Sequence, residues 1–213
     1  MKGLILKDLY TVFGYRKQYA MVLIFMMIWS LGMKNSGFIS MYLLILGGML
    51  VLSSLSTDET SHFNRLALTM PISPQMLVKS KYVLLILVMG CAAVISMIID
   101  FLSKRLFPQW QTDLGWQGVL VTALLFIATY SVTLPLIYKL GVEKARYVYI
   151  GVMLGIGMIV FGVGSLMEKM NIDIEKGILV SDLAIVLISL SVSIIILRIS
   201  YQCSLKVIQK KEW

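Results

Sequence analysis

Long apolar runs, almost free of charge, alternate along the chain with short polar breaks, and that alternation predicts the architecture. The runs cover about residues 18–33, 38–55, 82–102, 118–138, 147–166 and 183–199. Most approach the ~20 residues a helix needs to cross a bilayer. In lipid a single-pass segment must satisfy its own backbone hydrogen bonds, which selects helix. The expectation is an all-α polytopic membrane protein: six transmembrane helices in a single domain, residues 1–213.

The breaks carry the rest of the pattern. Residues 1–17 place Ile5, Leu9, Val12 and Phe13 on one face, with Lys2, Lys7, Asp8, Arg16 and Lys17 largely elsewhere. A basic amphipathic segment of this kind predicts an interfacial helix with its lysines near anionic headgroups. Residues 34–37 form a tight turn. Between the second and third runs lies the longest polar interruption of the first hundred residues, STDETSHFNRLALTMPISPQMLVKSKY. Ser56 and Glu59 have the spacing of a capping box, so a helix start is expected there. Phe63, Leu66, Ala67 and Met70 recur at helical spacing, and Pro71 and Pro74 are expected to end that helix. Lys79 and Lys81 mark the return to apolar sequence. Residues 56–74 are therefore read as a short amphipathic helix and turn suited to docking a partner. Further on, Trp110 and Trp116 sit where interface anchors are usual. Residues 167–182 form an acidic loop.

Composition and charge narrow the class. The chain is 59% hydrophobic and 14% charged, where a soluble domain is nearer a quarter charged. A net charge of +8 would suit nucleic acid, yet 14 of the 19 lysines and arginines fall on one side of the expected spans. That side holds residues 1–17, 56–81, 139–146 and the C-terminal tail. The positive-inside rule makes it cytoplasmic, with both termini. The balance belongs to membrane topology, and no nucleic-acid partner is expected. Lys7 and Asp8 interrupt the first apolar segment, so residues 1–17 do not read as a cleaved signal peptide.

Chemistry-bearing patterns are few. Nothing matches a phosphate-binding loop. The lone His62 stands beside Asp58 and Glu59 on an expected exposed helix, where a solvated polar face outweighs a metal or acid–base site. Cys91 and Cys203 lack a CxxC or histidine neighbour. Ion-coupled carriers place ionisable groups within the hydrocarbon; Asp100 is the best candidate, and an interfacial ion pair with Lys104 or Arg105 is the expectation for it. Ser96, Thr129, Ser131 and Thr133 are too unaccompanied to suggest a membrane-embedded enzyme. Pro135 leaves a helical carbonyl unpaired and predicts a bend. The Gly151-x-x-x-Gly155 pair permits close helix packing. Methionines including Met49, Met89 and Met158 suit either an adaptable apolar path or ordinary packing.

The layout resembles the small ABC-2-type permeases, the transmembrane subunits of bacterial ABC exporters. The resemblance rests on the basic start MKGLILKDLY, on Asp58–Glu59, on Leu68-x-x-Pro71-Ile72-Ser73 and on Lys79-x-Lys81-Tyr82, and its layout spans the chain. Where that family often has a basic residue after the Asp-Glu pair, Thr60 stands here. The resemblance implies a multi-pass subunit of the bacterial cell membrane with six helices, an interfacial N-terminal helix, and a cytoplasmic coupling helix between the second and third spans. Asp58, Glu59, Phe63, Arg65 and Leu66 would meet a separate ATPase, present in two copies and itself binding ATP and magnesium. This chain would hold no cofactor, metal or catalytic residue and be no enzyme by itself. A second permease subunit, identical or different, would complete the complex. The substrate class implied is apolar or amphipathic, peptides included, with residues 167–182 an outer loop or re-entrant segment. The alternatives are an ion-coupled secondary carrier and a membrane-embedded enzyme or scaffold without an ATPase partner.

Overall fold

A computed structural model describes residues 2–61, 63, 66, 73–107, 115–145, 147, 148, 150, 151, 154, 155, 158 and 182–210. Within them the chain is all-α. The bounded helices are α1 (Lys2–Gly14), α2 (Arg16–Met33), α3 (Gly37–Thr60), α4 (Pro74–Leu106), α5 (Gly115–Leu140) and α6 (Asp182–Lys210). Helical residues resume at 142–145.

Among the described residues, α3, α4, α5 and the Ala184–Gln209 part of α6 are long and apolar enough to cross a membrane. The first expected span falls in α2, which is not among those four. Its first turn carries Arg16, Lys17 and Gln18, so the apolar part begins only after them. The fifth, residues 147–166, lies for the most part outside the described residues, as do residues 167–181. Six spans were expected; among the described residues four helices qualify by length and composition.

Hydrogen bonds between helices set their directions. Tyr15, just before α2, and Tyr19 on it pair with Thr57 and Ser53 on α3, at 3.2 and 2.8 Å. The low end of α2 thus meets the high end of α3, and the two run antiparallel. Lys34 closes α2 in the left-handed conformation at φ 52°, its N–H reaching the Ser30 carbonyl. At that far end Ser40 of α3 meets Asp100 of α4. Helices α5 and α6 differ: Ser193 donates to the Leu124 carbonyl and Ser200 to that of Ser131. Both numbers rise together, so α5 and α6 are parallel. Leu140 ends α5 at the end shared by both chain termini, and Asp182 starts α6 at the opposite end.

The core lies where α3, α4 and α5 converge, on Val51, Val78, Leu85, Met89, Tyr130 and Leu134. Their approach depends on Gly48, where an added Cβ would fall 1.8 Å from the Tyr130 ring. Pro135 sits inside α5 without ending it. Proline lacks the N–H that would bond the carbonyl of Ser131, four residues back. The Ser200 hydroxyl of α6 supplies a donor to that same carbonyl. The residue expected to bend a helix thus also frees an acceptor that fastens two helices together.

Two boundaries depart from the expected ones. Ser56 through Thr60 continue α3, so the helix start expected at Ser56 is absent and the break comes at Ser61. Pro74 was expected to belong to a stop; it is the first residue of α4, preceded by an extended Ser73. Proline suits that position because the first N–H of a helix has no intrahelical acceptor.

Candidate functional site

The end of the bundle that holds the termini is built around buried charge. Asp8 of α1, Asp58 of α3 and Lys81 of α4 are each at most 5% exposed at the side chain, while Lys7 is 30% exposed. Lys81 Nζ stands 2.7 Å from Asp8, 2.5 Å from Asp58 and 3.0 Å from the Ser54 hydroxyl. Two of these are hydrogen bonds, to Asp8 and Ser54, and the Asp58 contact is an ion pair. Ser54 in turn donates to Asp8 at 3.1 Å. Lys7 pairs with Asp58 and lies 3.3 Å from Asp8. Two carboxylates and two ammonium groups cancel, which is what a site withdrawn from water requires. Asp8 therefore faces the bundle, whereas the amphipathic pattern set it with the solvated lysines. Phe13, placed on the apolar face, is 63% exposed.

Glu59, the next residue, holds a different neighbour. Its carboxylate accepts from the Val142 backbone N–H at 2.5 Å. Gly141, between α5 and Val142, has φ +84°, and a Cβ there would lie 2.6 Å from Glu59 Oε1. Glycine is needed twice over, for the left-handed turn and for the carboxylate's approach. The Asp58–Glu59 pair thus ties the end of α3 to α1 and α4 on one side and to the turn after α5 on the other.

Beyond Ser61 stand Phe63, half-buried and helical, and Leu66, helical and 55% exposed. Lys7 Nζ lies 3.6 Å from the centre of the Phe63 ring, within cation–π range. Arg65, the remaining residue of the expected docking set, lies outside the described residues, as does His62. Asp58 and Glu59 share one short stretch with Phe63 and Leu66, but their carboxylates bind inside the chain. Sequence reading singled out Lys81 within the Lys79-x-Lys81-Tyr82 pattern but not as a partner of Asp8 and Asp58. A lysine at the head of an apolar run looks like an interfacial anchor, and its partners are 73 and 23 positions away.

A cavity of about 440 Å3 opens between α2, α3, α5 and the helical residues after Gly141. Met49, Leu52, Ile137 and Ile150 are among its walls, with Tyr19, Ser53 and Thr133 the polar lining. Those polar groups are already engaged: Tyr19 with Ser53, Ser53 with the Met49 carbonyl, Thr133 with that of Tyr130. What remains on offer is apolar surface, in the volume range of small-ligand pockets. Met49 lines this cavity; Met89 is fully buried in the core.

The other candidate residues lie apart. Asp100 is buried at the far end and accepts from Ser40 at 2.9 Å. Among the described residues no ion pair joins it to Lys104 or Arg105, both of which are exposed, so the expected interfacial pair is not formed. The Ser40 hydroxyl serves one oxygen of the carboxylate, Oδ1, without ordering two long side chains. At Gly151 and Gly155 an added Cβ would meet nothing within 4 Å, so the pair packs against no described part of this chain.

Against known proteins, the family model described as ABC-2 family transporter protein matches residues 3–209. No curated protein and no solved structure gives a significant match.

Proposed function

We propose that this chain, which belongs to the ABC-2 family of transporter proteins, is the membrane-spanning subunit of an ATP-driven exporter of apolar or amphipathic molecules. ATP would bind a separate subunit, and that subunit would dock at Phe63 and Leu66. Family membership implies an ATPase partner and a multi-pass membrane chain. The observation that carries the docking site is the exposed Leu66 close to the fastened end of α3. A force applied at these residues meets a joint already braced by Asp58 and Glu59, and so passes into α3, α4 and α5 together. The Asp-Glu pair, on this reading, positions the docking segment while Phe63 and Leu66 make the contact.

Substrate would pass along the apolar cavity between α2, α3 and α5, which suits the hydrocarbon face of an amphipathic peptide or lipid-like molecule. The stretch between Leu140 and Asp182 would include a fifth crossing, because its two ends lie at opposite ends of the bundle. With α2 as the first, six crossings result. A second permease copy would face the Gly151–Gly155 pair. The basic end that holds both termini would be cytoplasmic.

The test is Phe63→Asp and Leu66→Asp in the complex with the ATPase. A buried interface anchor is worth about 2 kcal/mol or more, roughly thirtyfold in affinity. Either change should strip the ATPase from the purified complex and abolish the ATP hydrolysis that depends on assembly, with membrane levels of this chain unchanged. Full retention of the partner by both well-folded variants would overturn the docking site.

A further inference from the structure

Of the four ion-paired side chains Lys7, Asp8, Asp58 and Lys81, Lys7 alone reaches the surface. Its ammonium lies between the buried Asp58 and the ring of Phe63. Lys81 cannot stand in for it: it is already hydrogen-bonded to Asp8 and Ser54 and ion-paired with Asp58, and its side chain is 3% exposed. Withdrawing Lys7 would leave two carboxylates with one ammonium in a site removed from water, an arrangement that cannot stay as it is. The ring that Lys7 covers belongs to the segment between α3 and α4. Whatever moves Phe63 therefore moves the charge that neutralises the joint of α1, α3 and α4.

We propose that Lys7 is a positioning residue for energy coupling: held by Asp58 and seated on the Phe63 ring, it makes α1 travel with the docking segment. This rests on the docking reading above and adds to it. The interfacial helix becomes a working part of the drive, where a membrane anchor would need no buried acid and no contact with Phe63. Asp8, at 1% exposure, faces the joint rather than headgroups or water.

The experiment uses the full chain assembled with its ATPase in lipid nanodiscs, with the exposed Cys91 and Cys203 replaced by serine. Spin labels at the exposed positions Tyr10 on α1 and Gln75 on α4 report the distance between those helices. It is measured without nucleotide and after trapping with ATP and vanadate. In the native background and in Lys7→Arg, which keeps the charge and the ring contact, a single distance is expected in both states. Lys7→Met keeps the stem and loses the charge. It should retain the ATPase and its hydrolysis, and it should show the distance changing between the two states. A merely structural role would give Lys7→Met one altered distance, the same with and without nucleotide. The proposal is overturned by that result, by a native distance that changes with nucleotide, or by Lys7→Arg behaving like Lys7→Met. Failure of the docking reading is separate: Phe63→Asp would then leave partner and hydrolysis intact, whatever the labels show.

Discussion

Gly48 shows how far a single absent methyl can govern this molecule. Helix α3 approaches α5 so closely there that the Tyr130 ring fills the space a Cβ would take. Tyr130 is 2% exposed and its hydroxyl reaches the Ile45 carbonyl at 3.3 Å, so the ring has little room to retreat. Gly48→Ala should destabilise the bundle by about 1–3 kcal/mol, the usual range for overpacking. Thermal unfolding in detergent checks it, and Tyr130→Ala in the same chain should make the Gly48→Ala change nearly neutral, since the obstacle is gone. Ser200 offers a finer test. Its hydroxyl serves the carbonyl that Pro135 leaves unpaired. Hydrogen bonds between membrane helices average about 0.6 kcal/mol and reach about 1.7. Ser200→Ala should lose an amount in that range. In a Pro135→Ala background, where an N–H returns to the Ser131 carbonyl, the same change should lose less. Equal losses in both backgrounds would mean that Ser200 acts through packing alone.

At the scale of elements, the polar end of α3 separates what the sequence makes legible from what it does not. Its apolar run, those of α4, α5 and α6, and the basic start were readable, because lipid demands uninterrupted apolar length. The limits of α3 were not. Ser56-x-x-Glu59 has the spacing of a helix start, yet the same spacing occurs inside any polar helical turn. Here distant partners absorb the polar side chains: Lys7 and Lys81 take Asp58, and the Val142 N–H takes Glu59. None of these partners lies within one helical turn, so no local rule could supply them. Asp100 repeats the lesson, since its neighbours on α4 suggested an ion pair and Ser40 of α3 provides the bond instead. The Glu59 contact makes its own prediction. Gly141→Ala combines a strained φ with a Cβ 2.6 Å from the carboxylate, and should lose about 1 kcal/mol or more. Hydrogen exchange at the Val142 amide should quicken in Gly141→Ala and in Glu59→Ala. Glu59→Gln, which retains a carbonyl acceptor, should protect that amide better than Glu59→Ala does.

The whole molecule is constrained by the parallel setting of α5 and α6. Two parallel neighbours cannot be joined by a short turn, so the chain after Leu140 has to regain the far end before Asp182. An odd number of crossings in that interval satisfies this, and 41 residues from Gly141 to Ser181 leave room for one with a loop. By the positive-inside rule the charge distribution predicts a direction for the whole, since 14 of the 19 lysines and arginines fall in residues 1–17, 56–81, 139–146 and the C-terminal tail. These two arguments combine into one measurement. With Cys91 and Cys203 replaced by serine, single cysteines are placed at Lys34, Trp116 and Asp182 for the far end, and at Tyr10 and Lys79 for the other. A membrane-impermeant thiol reagent applied to whole cells should label the first three, and label Tyr10 and Lys79 only after the membrane is opened. Asp182 decides the crossing number, because with no crossing between α5 and α6 it would share the protection of Tyr10. Lys34 decides the status of α2, whose charged first turn keeps it out of the four long apolar helices. If α2 lay along the surface on the side of α1, Lys34 would share the protection of Tyr10 and be labelled only after the membrane is opened.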